Sequence, residues 1–214
     1  MEKIYIIRHG ETSLNAQGVL QGWLDENLND NGIRLTEITG REMREIRFDA
    51  CISSPLKRAR ETAEIILRES GNDRVPIFFD DRIKEINFGR YEGRKLIGGE
   101  LPDSIAEKFF KDPFGFPGFP GGEDLYQVCT RTQDFLRELC DRDDGKTYLV
   151  STHGCALRGM LNHLYINQND YWHGHVPYNC VVNIVEVNSG NASLIVDDRI
   201  YYDPSEAVDQ YTKS

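Results

Sequence analysis

The chain has 214 residues, with 39% hydrophobic, 10% aromatic and 28% charged residues, a composition of soluble globular type that allows one α/β domain of ordinary size. Twenty-five basic residues against 35 acidic ones give a net charge of −10, which disfavours nucleic acid and anionic membrane surfaces as partners. No apolar run approaches the roughly 20 residues of a membrane-spanning helix.

The N-terminal apolar stretch, Met1 to Ile7, meets Arg8 and His9 at once and is too short for a secretory signal. The five cysteines (Cys51, Cys129, Cys140, Cys155 and Cys180) are scattered, odd in number and free of C-x-x-C spacing. That pattern predicts buried reduced thiols and a cytoplasmic location rather than a disulfide framework or a zinc site.

In chain order, Ile4 to Ile7 reads as a buried strand running into Arg8-His9-Gly10. Asp30 to Arg47 reads as a helix, capped within Asn29 to Asn31, with Ile33, Ile38 and Ile46 on its apolar side. Ala50-Cys51-Ile52 is a second strand, entering Ser53-Ser54-Pro55 and then a helix to about Leu67. Arg90 to Gly122 carries Gly98-Gly99, then Phe114, Phe116 and Phe119 among Gly and Pro, then Gly121-Gly122. This segment is expected to be an irregular cover over the C-terminal edge of a sheet, with a plain surface loop as the competing reading. Glu123 to Leu139 is a further helix, ended by the Asp141 to Gly145 turn. Tyr148-Leu149-Val150 is a third strand, entering Ser151-Thr152-His153-Gly154 and a helix from Cys155 to about Tyr165. Val181 to Val187 and Ser193 to Val196 form a hairpin at the sheet edge. The expected fold is therefore α/β: a three-layer sandwich with a mostly parallel sheet, forming a single domain over residues 1–214 with the cover at about 90–122.

Open parallel sheets bind ligands beyond the carboxyl ends of their strands, where Arg8, His9, Ser53-Ser54 and His153 fall. His9 and His153 share one local pattern, an apolar strand before and a glycine after. A histidine with a neutral ring is a competent nucleophile, and nearby arginines push it toward neutrality. Phosphoryl transfer asks mainly for in-line positioning and positive charge on the transferring oxygens. Arg8 and Arg58, expected at the ends of neighbouring strands, can supply bidentate donors. His153, if protonated, adds a third donor, and Asn15 and the Gly154 amide add neutral ones. Glu85, between apolar positions, is a candidate acid and base whose pKa partial burial would raise, although a solvated carboxylate is the better reading of that residue alone. Arg60 reads as a solvated helix residue. His163, and His173 and His175 with their metal-like spacing, lack an accompanying Cys or carboxylate cluster and read as packing or surface groups.

These residues stand in a larger pattern. RHGET (Arg8 to Thr12) with Asn15, SSPLKRARETA (Ser53 to Ala63), EINFGRYEG (Glu85 to Gly93), PGGED (Pro120 to Asp124) and STHG (Ser151 to Gly154) follow in order over residues 3 to about 165. The set resembles the histidine phosphatase superfamily, also called the phosphoglycerate mutase-like family. The resemblance implies a phosphohistidine on His9, with Arg8, Arg58 and His153 around the phosphoryl group and Glu85 exchanging protons. It also implies substrate contacts from Asn15, Gln21, Gly22 and Gly154, and neither metal nor cofactor. A phosphatase is favoured over a mutase, because IKEINFG replaces the mutases' leucine-asparagine-glutamate-arginine-histidine-tyrosine-glycine block and no longer insertion follows. An inert phosphate-binding module is disfavoured, since every required group is present. The short cover suggests a modest pocket for small phosphate monoesters. Its Phe109, Phe110, Phe114, Phe116 and Phe119, and its Arg90, Arg94, Lys95, Lys108 and Lys111, are candidates to recognise the rest of the substrate. Oligomeric state is not readable.

Overall fold

A computed structural model describes residues 1–96 and 101–207. The Gly98-Gly99 part of the expected cover lies outside the described residues. The elements in chain order are β1 (Glu2–Arg8), α1 (Ser13–Ala16), α2 (Asp30–Glu42), β2 (Ala50–Ser53), α3 (Lys57–Glu69) and β3 (Ile77–Phe79). They continue with α4 (Asp103–Lys111), α5 (Leu125–Cys140), β4 (Thr147–Thr152), α6 (Gly154–Leu161), β5 (Val182–Asn188) and β6 (Asn191–Arg199). One six-stranded sheet runs β3-β2-β4-β1-β5-β6. The first four strands in that order are parallel, and β5 and β6 form an antiparallel hairpin at the edge, as expected. Among the described residues no helix is long and apolar enough to cross a membrane.

The strands are apolar on both faces because both faces are covered. Ile4, Ile6, Tyr148 and Val150 face α5 and α6, packing with Leu136, Leu157 and Met160. Their strand neighbours Ile7, Cys51 and Leu149 point the other way, onto Ala63, Ile66 and Met43. This period-two split of β1 and β4 defines the two halves of a three-layer core. At the C-terminal ends of the parallel strands the chain leaves through Arg8-His9, Ser53-Ser54 and Thr152-His153.

Three expectations are corrected. The helix expected over Asp30 to Arg47 stops at Glu42, because Met43 leaves helical geometry and residues 44–47 turn the chain toward buried Phe48. The helix after His153 is α only to Leu161, with a 3₁₀ turn over Asn162–Leu164. The cover is neither wholly irregular nor a surface loop, since it contains α4. That helix buries Phe109, exposes Glu107, Lys108 and Lys111, and joins Phe116 and Phe119 in a core with Phe88, Leu125, Val128 and Trp172. Phe109 meets Phe116, Phe119 and Trp172 edge to face, an arrangement that favours one defined aromatic packing.

The loop after His9 is gripped between two helices. Gly10 N–H donates to Thr62 Oγ1 of α3 at 2.9 Å, and Asn29 N–H, at the cap of α2, donates to Glu11 O at 2.9 Å. Gly32, in the first turn of α2, sits so close that a Cβ there would meet Glu11 O at 2.0 Å and Glu11 N at 2.6 Å. Neither backbone can yield without moving the chain beside His9. Gly32→Ala is accordingly expected to lose about 1–3 kcal/mol, or roughly 2–10 °C in Tm. A melting temperature equal to that of the parent would mean this contact does not hold the loop.

Candidate active site

His9 leaves β1 with its backbone tied on both sides: its N–H donates to Thr152 O at 2.9 Å, and its carbonyl accepts from Asn179 Nδ2 at 3.0 Å. The ring is 2% exposed. Nδ1 lies 2.7 Å from Gly10 O, which can only accept, and the Arg58 Nε–H, which can only donate, lies 3.2 Å from Nε2. Together these partners place the proton on Nδ1 and the lone pair on Nε2. Burial first, then the charges of Arg58 and Arg8, hold the His9 pKa well below its usual value. The ring is neutral, with the lone pair of Nε2 held by the Arg58 Nε–H.

His153 is the N-cap residue of α6, fully buried, with its ring centroid 5.1 Å from that of His9. Its Nε2 lies 2.7 Å from Ser54 Oγ, which accepts the Leu56 N–H and finds in Nε2 the one acceptor recorded for its own proton. The ring therefore carries its hydrogen on Nδ1, which has no partner among the described residues. Burial, followed by Arg58 and His9, keeps its pKa well below the usual value. The condition attached to His153 as a third donor, a protonated ring, is disfavoured by burial beside the arginines, and the neutral ring offers its Nδ1–H instead.

Arg8, at the end of β1, donates through Nη1 to Pro177 O, while its buried Nε has no partner among the described residues. Arg58 does not sit at a strand end next to Arg8. It is the second residue of α3, and β4 lies between β1 and β2. Its guanidinium is fully buried and held by carbonyls: Nη1 donates to Leu24 O at 2.9 Å, and Nη2 to Gly22 O at 2.7 Å and Gln21 O at 3.2 Å. This cradle aims Nε at His9.

Asn15 is fixed by a reciprocal cap: its N–H donates to Thr12 Oγ1 and its Oδ1 accepts from Thr12 N–H. Glu85 is 6% exposed. Its Oε1 accepts from Ile86 N–H and Ala156 N–H at 3.0 and 3.1 Å, and Oε2 from Cys155 N–H at 3.2 Å, the latter two at the first turn of α6. Arg8 Nε and Glu85 Oε2 converge beside Gly154, at ordinary contact distances of 3.5 and 3.6 Å from the position a Cβ would take. Arg8, His9, Asn15, Gln21, Glu85 and Gly154 thus line one cleft. Arg58 and His153 lie outside that lining and touch His9 and Ser54. Gly22 meets Arg58 through its carbonyl and packs against Ile86, Phe88 and Glu92, so its place is behind the guanidinium. The Cys155 thiol is pushed well up by burial and Glu85, which makes it inert beside the site. His173 stacks on Tyr165 and His175 lies 3.2 Å from Asp198, both apart from the cleft.

The supporting roles of Arg131, Glu123, Asn179 and Glu92 escaped the sequence reading, which had Ser54 only as a strand-end residue. Arg131 donates to the carbonyls of Arg82, Lys84 and Glu85 and pairs with Glu123, whose Oε2 also accepts Asn87 N–H, so that the segment carrying Glu85 is braced from α5. Asn179 and Ser54 orient the two histidines. Glu92 spends its whole carboxylate on backbone: Oε1 accepts Trp23 and Phe88 N–H, and Oε2 accepts Gly22 and Leu24 N–H, all at 2.9 to 3.2 Å. Three of those amides, of Gly22, Trp23 and Leu24, belong to the loop whose carbonyls hold Arg58. Only the motif position of Glu92 hinted at a role; nothing in residue type distinguishes it from a solvated glutamate.

A doubly wound sheet with two neutral histidines, two arginines and a glutamate at its carboxyl edge is the architecture of a phosphoryl-handling α/β protein. The chain matches the histidine phosphatase superfamily (branch 1) over residues 4–196 and belongs to it. It is 30% identical over 168 residues to a 2,3-bisphosphoglycerate-dependent phosphoglycerate mutase of Cytophaga hutchinsonii, covering 77% of this chain and 78% of that one. It is 32% identical over 163 residues to phosphoserine phosphatase 1 of Hydrogenobacter thermophilus, covering 75% and 74%. Among solved structures, YhfR of Bacillus stearothermophilus superposes with a TM-score of 0.86 at 28% identity, covering 94% of this chain and 98% of that one. Phosphatases and phosphoglycerate mutases both stand among its relatives.

Loss of the Glu92 carboxylate should release the Arg58 cradle. In Glu92→Ala, affinity for inorganic phosphate measured by calorimetry is expected to fall by about 10²-fold. With Arg58 no longer fixed against Nε2, the NMR titration of the His9 ring is expected to move up toward about 6.5. A variant that loses only melting temperature, with both readouts unmoved, would make Glu92 a purely structural residue.

Proposed function

We propose that this chain is a metal-independent phosphatase that hydrolyses small phosphate monoesters through a phosphohistidine on His9, with Glu85 moving the protons. The observation that carries the reading is the conjunction at His9: a neutral ring with its lone pair on Nε2, the His153 ring with its centroid 5.1 Å away, and Arg8 Nε–H and His153 Nδ1–H buried and without a partner among the described residues. Those donors, with Arg58, suit the equatorial oxygens of a transferring phosphoryl group. In the first step Nε2 attacks phosphorus, the ester P–O bond breaks, and protonated Glu85 gives its proton to the departing oxygen. That attack requires the Arg58 Nε–H to pass from the Nε2 lone pair to a phosphoryl oxygen as the substrate arrives, which frees Nε2 to bond phosphorus. In the second step water attacks the phosphohistidine, Glu85 takes the water proton, and the P–N bond breaks to return neutral His9 and inorganic phosphate. Asn15, Gln21 and the Gly154 amide contact the substrate from the cleft, and Gly22 acts through Arg58.

The whole chain is read as one histidine phosphatase domain, with residues 90–122 forming the cover of its site. Five buried, unpaired cysteines support a reducing, cytoplasmic setting. The phosphoglycerate mutase relatives favour a second reading, in which the phosphoryl group returns to a hydroxyl of bound phosphoglycerate instead of passing to water.

Hydrolysis of p-nitrophenyl phosphate in EDTA tests both readings. The parent protein should remain active, and His9→Ala should lose about 10³-fold or more. Activity abolished by EDTA, or retained without His9, would sink the mechanism. Phosphoglycerate interconversion without appreciable ester hydrolysis would favour the mutase.

A pH prediction follows from the lowered His9 pKa. Protonation of the nucleophile is deferred to pH values well below about 6.5, so His9 sets no acid limb in kcat/KM near neutrality. Arg58→Met removes one of the charges that depress it, so the His9 pKa rises and an acid limb should appear at higher pH than in the parent. A profile unchanged in shape would show that Arg58 does not govern the nucleophile's protonation.

A further inference from the structure

Beyond its phosphate-binding end, the cleft is walled by Leu20, Phe88, Leu96, Phe110, Trp172 and Val176, with Phe109 behind them. The one polar handle in this wall, the Trp172 indole N–H, is already committed to Phe109 O at 3.0 Å. Gln21, at the boundary, accepts from Thr12 Oγ1 at 2.7 Å and turns its amide toward Glu26. The basic residues of the cover do not reach the wall. Arg90, Arg94, Lys95, Lys108 and Lys111 are exposed and outside the lining, and residues 97–100, which lie outside the described structure, include no lysine or arginine.

The wall is also held in place. Arg158, fully buried on α6, donates to His175 O at 3.2 Å and pairs with Asp198 at 2.5 Å, anchoring the segment that carries Trp172 and Val176. Phe110 and Trp172 lie with ring centroids 5.4 Å apart, presenting aromatic surface to the cleft.

We infer that the physiological substrate is a phosphate monoester whose organic part is uncharged, apolar and ring-bearing, so that the phosphate is its one anionic group. This rests on the hydrolytic reading above and narrows it. A second phosphate, a carboxylate or an ammonium on the leaving group would meet no counter-ion among the described residues of this wall and would lose its hydration. An apolar ring replaces water against carbon and stacks on Phe110 and Trp172. The same wall disfavours mutase chemistry, which must hold both anionic ends of a phosphoglycerate.

The test compares esters of primary alcohols, so that leaving-group acidity does not dominate the ranking: 2-phenylethyl phosphate against glycerol 1-phosphate, phosphoserine and fructose 1,6-bisphosphate. The expected result is a kcat/KM for 2-phenylethyl phosphate at least about tenfold above each of the others, given that a single methylene in an apolar pocket is worth about that much. Phe110→Ala should narrow this ratio, chiefly through KM for the phenyl ester. Comparable or higher kcat/KM for the charged esters, or a ratio indifferent to Phe110→Ala, overturns the inference while leaving the phosphatase standing. Turnover of none of the four esters, alongside inactivity toward p-nitrophenyl phosphate, overturns the hydrolytic reading and this inference with it.

Discussion

A guanidinium N–H resting on an imidazole lone pair is the contact around which this site is organised. A buried imidazole avoids charge in any case, and the Arg58 Nε–H on His9 Nε2 adds both a repulsive charge and an occupied lone pair. Gly10 O on the opposite nitrogen completes the assignment. The ring is thus neutral, in one tautomer and in one orientation before any ligand arrives. Such preorganisation lowers the reorganisation needed when a phosphoryl group reaches Nε2.

That contact makes demands on the rest of the fold. Arg58 must be buried without its charge becoming an unpaired burden, and three backbone carbonyls meet that demand where a carboxylate would have cancelled its field. The carbonyls belong to a loop that cannot hold itself in this shape, and Glu92 stabilises it by accepting its outward N–H groups. The negative charge thus lies one layer behind the positive one, bonded to amides, and the guanidinium field remains directed at His9. Arg131 and Glu123 play the corresponding part for Glu85, bracing its segment through backbone contacts instead of touching its carboxylate.

The two ends of the cleft follow different physics. At the strand ends, buried polar groups are numerous and nearly all satisfied, with Arg8 Nε and His153 Nδ1 among the few exceptions. Farther out, the cover builds an apolar wall from aromatic residues that also form its own core. One set of side chains, Phe88, Phe109 and Trp172, therefore both packs in the core of the cover and shapes the apolar side of the cleft. Retuning substrate preference in this protein would be coupled to the stability of the cover.

Much of this was present in the residue order. Continuous apolar runs ending in polar turns announced parallel strands covered on both faces, and those turns carried Arg8, His9, Ser54 and His153 to the carboxyl edge because strand direction and strand end are local properties. The hairpin and most helix boundaries were legible for the same reason. What only the tertiary structure decided depends on which distant backbone groups meet. Arg58 approaches His9 from a helix across an intervening strand, Glu92 and Arg131 serve carbonyls and amides far away in sequence, and backbone partners leave no mark on residue type. The protonation of His153 stayed conditional in the sequence because burial beside arginines is a property of the assembled site. The cover was misread because its Gly- and Pro-rich stretch outweighed α4, whose amphipathic pattern acquires meaning only once Phe109 has a core to enter.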